Sequence, residues 1–276
     1  MAGRRTLVVS EGGLAVLAAL HLQQEEIARF LPRAAQAQAE AVHRTRVAAR
    51  RIRSLLKTYA DLFEPEPLPA YRENLRRVAR WLEGVREADV LSRLLLPLAA
   101  EAQLPQRAQQ RVRAALRSVQ NGASAALRAR LAAPAGRSVV RGLNQAAGPA
   151  ALRLREAVRD AQVLRRAAST LIKCRKGLAH RPQSPAELHA LRLRTKRCRY
   201  ALEPVCGFRK RRDVGKVLRC LALLQTLLGE HRDTVLALHW VQRQAPALGQ
   251  ATVLLLAERL RERERQAREA LGLVRA

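Results

Sequence analysis

The sequence contains few aromatic residues and few residues that interrupt helices. Phe, Trp and Tyr make up 3% of the 276 residues, and Gly (14) and Pro (12) are sparse. Ala, Leu, Arg, Glu and Gln dominate instead, and all five are favourable in helices. Alternation of apolar and polar residues is absent, which argues against strands. With 48% hydrophobic residues, the chain is expected to be a folded, all-α protein.

Acidic residues are scarce as well. The chain has 23 Asp and Glu residues against 52 Lys and Arg residues, so its formal net charge at pH 7 is +29. Nearly all of the basic residues are Arg, whose planar guanidinium group can bind two phosphate oxygens at once. A folded chain with this excess repels itself unless counter-ions or a polyanion offset the repulsion. The candidate partners are a nucleic acid, an anionic membrane surface or a phosphate polymer.

The chain also lacks cysteine pairs and long apolar runs. Its four cysteines are Cys174, Cys198, Cys206 and Cys220. None forms a CxxC pair, so neither a zinc site nor a disulfide framework is expected, and free thiols are typical of a reducing cytosol. No apolar run approaches the roughly 18–20 residues that cross a bilayer. We therefore expect a cytoplasmic protein with no membrane partner.

What the sequence does contain is an internal repeat, at an offset of 146 residues. The segment His43–Arg46 aligns with His189–Arg192, and Arg50–Arg53 aligns with Lys196–Arg199. Three more pairs match in the same register: Leu82 with Leu228, Arg86 with Arg232, and Glu87 with Asp233. One register held over about 45 residues without a gap indicates two related halves.

Each half is expected to contain four helices, separated by Pro and Gly residues. In the first half we expect them at about 11–30, 35–62, 69–100 and 105–131. In the second half we expect them at about 150–178, 185–205, 211–244 and 248–271. The halves span residues 1–133 and 150–276 of a single domain, with residues 134–149 as the linker. Ser184 and Glu187 have the spacing of a capping box at a helix start.

One helix in each half has a cationic stripe beside an apolar stripe. In the first half the cationic stripe is His43, Arg46, Arg50, Arg53 and Lys57. In the second half it is His189, Arg192, Lys196 and Arg199, bordered by Tyr200. On each helix a further arginine, Arg51 or Arg197, lies on a third flank.

These stripes predict an anion-binding track to which both halves contribute. Like charges at such spacings repel one another on a bare helix. A solvated basic face would tolerate the repulsion, but it would not need the same residues at the same offsets in both halves. Third-helix residues that recur at similar spacings are candidates to complete the track: Arg72, Arg76 and Arg80 in the first half, and Arg212, Lys216 and Arg219 in the second.

The paired motifs resemble the CHAD family (conserved histidine α-helical domain). The first copy is H-x-x-R-V-x-x-R-R-x-R from His43, and its echo is H-x-x-R-x-x-x-K-R-x-R-Y from His189. The family's L-G-x-x-R-D appears at 228–233, and the first copy departs from it with Glu83 and Glu87. The resemblance implies two four-helix bundles related by pseudo-two-fold symmetry. It also implies binding of long-chain polyphosphate in a basic central channel, and a location on polyphosphate granules.

Other functions fit the same residues less well. Nucleic-acid binding is the main alternative, and weak non-specific binding is expected from the charge, but no known nucleic-acid motif or aromatic stacking platform is present. A metal at His43 or His189 is disfavoured by the neighbouring cations. No P-loop, G-x-S-x-G or H-E-x-x-H occurs, so we expect no enzyme activity, no catalytic residues and no cofactor. Nothing in the sequence indicates an oligomeric state.

Overall fold

The described chain folds almost entirely into helices. The computed structural model describes residues 10–66, 68–146, 152–155, 158–179, 182, 184–208 and 212–273. The first part of the chain contains α1 (Glu11–Ala35), α2 (Ala39–Thr58), a short 3₁₀ helix (Ala60–Leu62), α3 (Leu68–Trp81), α4 (Glu83–Glu101), α5 (Gln106–Ala132) and α6 (Pro134–Ala146). The second part contains α7 (Asp160–Ala179), α8 (Pro185–Phe208), α9 (Arg212–Arg243), α10 (Ala245–Leu248) and α11 (Gln250–Leu273). Within these ranges the β structure is one isolated bridge, and the all-α prediction is confirmed.

The helices of the two halves correspond at the offset of the repeat. Helices α1, α2 and α5 correspond to α7, α8 and α11, and the pair α3–α4 corresponds to α9. Helix α1 packs on α2 as α7 packs on α8, and α5 packs on α4 as α11 packs on α9. Helix α2 also packs against α8, so the two helices that carry the cationic stripes are direct neighbours. The pseudo-two-fold rotation itself stays a prediction.

Two large apolar clusters form the core, and neither is confined to one half of the sequence. The first joins buried residues of α1, α2, α3, α7 and α8, including Leu20, Ile52 and Leu202. The second joins buried residues of α4, α5, α9 and α11, including Leu95 and Leu256. Because each half contributes to both clusters, the halves do not have separate cores.

The buried sides of α2 and α8 fix the positions of their cationic stripes. In α2 the buried side includes Val42, Thr45, Ala49, Ile52 and Leu56. In α8 it includes Leu191, Thr195, Cys198, Leu202 and Val205. Residues three, four and seven apart share one helix face, so burial of these positions places the cationic stripes at the margin of the core.

The start of α8 is fixed by the predicted capping box. The backbone N–H of Glu187 donates to Oγ of Ser184 at 3.2 Å, and the backbone N–H of Ser184 donates to Oε2 of Glu187 at 3.1 Å. Both bonds satisfy donors that a helix start would otherwise leave unpaired. The capping box therefore sets where α8 begins, and with it the register of the cationic residues that follow.

The expected third helix of the first half is divided at Leu82. The sequence predicted one helix over 69–100, whereas α3 ends at Trp81 and α4 begins at Glu83. The division is slight, because the N–H of Leu82 still donates to the carbonyl of Val78, and the carbonyl of Leu82 still accepts from Arg86. The corresponding helix of the second half, α9, runs without interruption.

Helix α6 occupies most of the segment that was expected to be the linker, 134–149. Val139 and Leu143 lie four residues apart, and both are buried as α6 packs against α3 and α5. Pro134 stands in the first turn, where a missing N–H is tolerated. Gly136 allows a close turn, since a Cβ there would lie 2.1 Å from the carbonyl oxygen of Arg130. This helix was not predicted from the sequence, and residues 147–149 lie outside the described ranges.

Candidate functional site

The cationic stripe of α2 forms a continuous row that we call the cation track. Its members are His43, Arg46, Arg50, Arg53 and Lys57. At 1.5 Å per residue the row extends over about 21 Å. The side chains from His43 to Arg53 are half-buried, and Lys57 at the end of the row is exposed. The track therefore runs along a partly enclosed surface for most of its length.

The centre of the track meets cations from the second half of the chain. Lys196 of α8 is buried, with 4% of its surface exposed. Burial, followed by the charges of Arg50, Arg192 and Arg232, lowers the pKa of Lys196 to about 6, and the carboxylate of Asp233 opposes the shift. These four basic residues, Arg50, Arg192, Lys196 and Arg232, form what we call the central cluster.

The surroundings of Arg192 resemble those of Lys196. Burial and the charges of Arg232 and Arg50 lower the pKa of Arg192 to about 10, and its Nε atom is buried without a hydrogen-bond partner. Burial and the charges of Arg232 and Arg192 also lower the pKa of His189. His189, Arg192 and Arg232 line a cavity of about 140 Å³ between α8 and α9. The central cluster is therefore packed against a space that an anion can enter.

Two carboxylates pair with arginines of the track and the central cluster, but they are too few to neutralise the positive charge there. Nη2 of Arg46 lies 3.5 Å from Oε1 of Glu83, and Arg46 also donates to the backbone carbonyl of Ala79. Nη2 of Arg232 lies 3.9 Å from Oε1 of Glu87. Burial lowers the pKa of Arg46, and Glu83 opposes that shift. The carboxylates of Glu83 and Glu87 thus orient guanidinium groups.

Further arginines surround the His43 end of the track. Burial and the charge of Arg86 lower the pKa of His43, and Arg93 and Arg50 act in the same direction. Arg86 itself donates to Asp89. Arg86, Arg93 and Arg232 were not predicted to belong to the site. The repeat aligns Arg86 with Arg232, and this match could have identified these two arginines as site candidates.

At the opposite end, residues of α3 and α8 join the track. Burial and the charges of Arg76, Arg50 and Arg72 lower the pKa of Arg53. The charge of Arg197 is the largest cause that lowers the pKa of Lys57. The structure thus brings the predicted residues Arg72, Arg76 and Arg197 to the track, which makes its cationic surface continuous from one end to the other.

Three predicted residues lie together in a different group. Nε of Arg199 donates to Oε1 of Glu203 at 3.1 Å, and Nη2 of Arg51 lies 3.5 Å from the same oxygen. The guanidinium carbon of Arg51 lies 5.4 Å from the ring centre of Tyr200. Arg199 also donates to the side chain of Gln225 at 3.3 Å. The shared carboxylate offsets part of this charge, and the group packs beside α1 rather than within the central cluster.

The remaining predicted cations are less closely tied to the track. Arg80 forms an ion pair with Glu73 at 3.4 Å, and the same carboxylate also pairs with Arg76 at 2.6 Å. Lys216 and Arg219 are exposed on α9. The side chain of Arg212 lies outside the part of the chain that the structure describes.

No metal site or membrane helix is found in the described ranges. No group of three His, Cys, Asp or Glu side chains there is placed to hold a metal ion. None of the described helices combines the length and apolar character that a membrane crossing requires. His43 and His189 each face several arginines, so the local charge opposes a divalent cation and favours an anion.

Comparisons with known proteins agree with this architecture. A family model described as CHAD domain matches residues 18–242. The crystal structure of the CHAD domain from the plant Ricinus communis superimposes with a TM-score of 0.74 and 23% identity, covering 100% of this chain and 94% of that one. PptA from Streptomyces chartreusis gives a TM-score of 0.74 and 22% identity, covering 94% of this chain and 97% of that one. No curated protein matches the sequence.

Proposed function

Because the chain belongs to the CHAD domain family, we propose that it binds long-chain inorganic polyphosphate along the cation track and the central cluster. The family resemblance supplies the ligand class, and the geometry of this chain supplies the residues. Those on the track are His43, Arg46, Arg50, Arg53 and Lys57, and those beside it are Arg72, Arg76, His189, Arg192, Lys196, Arg197 and Arg232. Arg86 and Arg93 extend the surface at the His43 end.

The observation that carries the proposal is the central cluster. A buried lysine is surrounded by three arginines from α2, α8 and α9, and the carboxylate of Asp233 acts against them. Buried charges without partners are costly, so this arrangement destabilises the free protein. An anion with many charges offsets the cost, because each phosphate oxygen accepts charge-assisted hydrogen bonds from guanidinium and ammonium groups.

The form of the site favours a polymer of phosphates over a nucleic acid. A row about 21 Å long presents more cations than one phosphate can contact. None of the described aromatic side chains is exposed, so this part of the chain offers no surface on which bases stack. Polyphosphate carries roughly one charge per phosphate and has no bases, so a row of cations is sufficient for its recognition.

We further propose that the α2 and α8 rows line the basic channel that the family resemblance implies, and that polyphosphate binding brings the protein to polyphosphate granules. The direct packing of α2 on α8 and the effect of Arg50 on Lys196 and Arg192 support a shared channel wall. We propose binding without catalysis. The carboxylates Glu83, Asp89 and Glu87 lie beside Arg46, Arg86 and Arg232, as expected for groups that orient arginines.

A competition titration tests the proposed function. Labelled polyphosphate bound to the full chain is displaced by unlabelled polyphosphate, duplex DNA or pyrophosphate, at matched phosphate concentration and several salt concentrations. We expect polyphosphate to compete best and to raise the melting temperature, since a ligand that binds only the folded state stabilises it. Equal competition by duplex DNA at every salt concentration would instead favour the nucleic-acid alternative.

A further inference from the structure

A second basic surface lies beyond the Lys57 end of the cation track. A cleft of about 690 Å³ opens between α7, α8 and the end of α2. We call it the side cleft, and six cationic side chains line it: Lys57, Arg166, Lys173, Lys176, Arg194 and Arg197. Of these, only Lys57 and Arg197 belong to motifs that the repeat makes visible. The α7 residues follow one stripe of the helix, at spacings of seven and three.

The charge of the side cleft is largely unpaired. Nε and Nη2 of Arg166 donate to Oδ2 of Asp61 at 3.0 and 2.7 Å. Within the described ranges, no carboxylate forms an ion pair with any of the other five cations. Five uncompensated positive charges around one concave surface raise the local concentration of anions. The side cleft is therefore suited to an anion, and its volume exceeds what a single phosphate group occupies.

One wall of the side cleft is formed by close packing of Arg194 on α7. The guanidinium group of Arg194 lies against Gly177, where a Cβ would be 2.8 Å from Nη1. The absence of a side chain at position 177 thus leaves space for Arg194 to lie close to α7. At the α2 wall, Thr58 also lines the cleft.

The side cleft and the cation track share a residue. Lys57 is the last member of the track and also lines the side cleft. The charge of Arg197, on the cleft side, and the charge of Arg72, on the track side, both act on Lys57. The cationic surface therefore continues from the track into the side cleft without an intervening acidic residue among the described lining residues.

We propose that the side cleft is a second subsite for the same polymer, holding the part of a polyphosphate chain that extends past Lys57. The inference rests on the proposed function. A chain short enough to lie within the roughly 21 Å track does not reach the side cleft, whereas a long chain occupies both surfaces at once. Occupying two linked surfaces increases overall affinity through effective concentration. The side cleft thus provides a preference for long chains.

The test compares two doubly neutralised variants of the full chain. K173Q/K176Q removes two exposed lysines of the side cleft, and R113Q/R117Q removes two exposed arginines of α5, with the same change in net charge. Affinities are measured for tripolyphosphate and for a polymer of about 100 phosphates, with circular dichroism to verify helicity. For K173Q/K176Q we expect about a tenfold loss for the long polymer, less than a twofold change for tripolyphosphate, and a shallower salt dependence.

The outcomes separate failure of the side-cleft proposal from failure of the proposed function. Under the proposal, R113Q/R117Q changes neither affinity by more than about twofold. Equal losses in the two variants, equal losses for the two ligands, or no loss for the long polymer would overturn the side cleft as a subsite while leaving the track intact. Failure of the unmodified chain to bind either polyphosphate would overturn the proposed function itself.

Discussion

Arg50 and Lys196 belong to different halves of the chain, and the positive charge of Arg50 acts on the buried amine of Lys196. Together with burial, which is the largest cause, the charges of Arg50, Arg192 and Arg232 lower the pKa of Lys196 to about 6. At pH 7 most Lys196 side chains in the free protein are therefore uncharged. A bound polyanion favours the protonated amine and raises its pKa again.

Polyphosphate binding is expected to take up a proton at Lys196. Above pH 6 the free side chain must be protonated when the polymer binds, so affinity should fall as pH rises from 6 to 8, by up to about tenfold per pH unit. Calorimetry in buffers of different ionisation enthalpy measures the proton uptake directly. Burial and neighbouring arginines lower the pKa values of His43 and His189 from the ordinary value of 6.5.

The matched control for this prediction is K196Q, in which the side chain does not titrate. The variant should bind more weakly at pH 6 and lose the dependence between pH 6 and 8. If K196Q and the unmodified chain take up the same number of protons at pH 7.5, another group carries the linkage and the role assigned to Lys196 is wrong.

Replacing Lys196 with methionine should stabilise the free protein while weakening polyphosphate binding. The change removes a buried amine from a cationic cluster and keeps a similar volume. Because the amine must lose its proton when the protein folds at pH 7, its removal should stabilise the fold, by about the 1–4 kcal/mol that replacing buried ionic groups with apolar ones can reach. Chemical denaturation of the free protein at pH 7 measures the gain in unfolding free energy. A loss of stability with unchanged affinity would show that Lys196 serves the fold alone.

The pH dependence of stability provides a further check on K196M. The folded pKa of about 6 lies below the ordinary 10.5, so the unfolded chain binds more protons between these values. Stability contributed by this group therefore rises with pH in that window, by up to about 1.4 kcal/mol per unit, and is constant below it. The stability difference between K196M and the unmodified chain should shrink from pH 7 to pH 9.

Arg51→Ala should affect the fold more than the ligand. Arg51 lies over the ring of Tyr200 and pairs with Glu203, so its loss should lower the unfolding free energy by about 1 kcal/mol. Long-chain polyphosphate affinity should change less than about threefold, because the residue lies outside the central cluster. Denaturation and binding measured on one preparation separate the two effects. A tenfold loss of affinity would return Arg51 to the binding surface, where the motif pattern placed it.

The capping box of α8 offers a test that does not involve charge. Ser184→Ala removes the oxygen that accepts from the N–H of Glu187, and loss of such a cap destabilises by about 1 kcal/mol. Thermal denaturation measures the change, with Ser169→Ala in the middle of α7 as a control that lacks a capping role. Equal effects of the two substitutions would argue that the cap does not stabilise α8.

Most of the helices, and the cationic stripes of α2 and α8, could be predicted from the sequence. The repeat placed α2 and α8 and their stripes, because apolar positions at helical spacing fix which side is buried. It could not separate Arg50 from Arg51, since their different surroundings depend on how α8 packs beside α2. Helix α6 could not be predicted because Pro and Gly ordinarily interrupt helices, whereas Pro134 begins this helix and Gly136 permits its close approach to α5.

The side cleft was beyond sequence reasoning for a related reason. Lys173 and Lys176 belong to no repeated motif, and a lysine-bearing helix is ordinarily a solvated face. Only the packing of α7 against α8 places these lysines opposite Arg194 and Arg197. Their grouping is a tertiary property, and no spacing within α7 indicates it.

The measurement that tests the central claim most directly compares R50Q, R192Q and their double variant in long-chain polyphosphate binding at fixed salt. Each half of the chain carries one of the two substitutions. The control R113Q/R117Q removes the same number of positive charges as the double variant. Loss of a hydrogen bond to a charged group weakens binding by roughly 10–100-fold. The account predicts such a loss for each single variant, a larger loss for the double variant and little change for the control. Equal losses for the control and the double variant would contradict it, because net charge alone would then explain the binding.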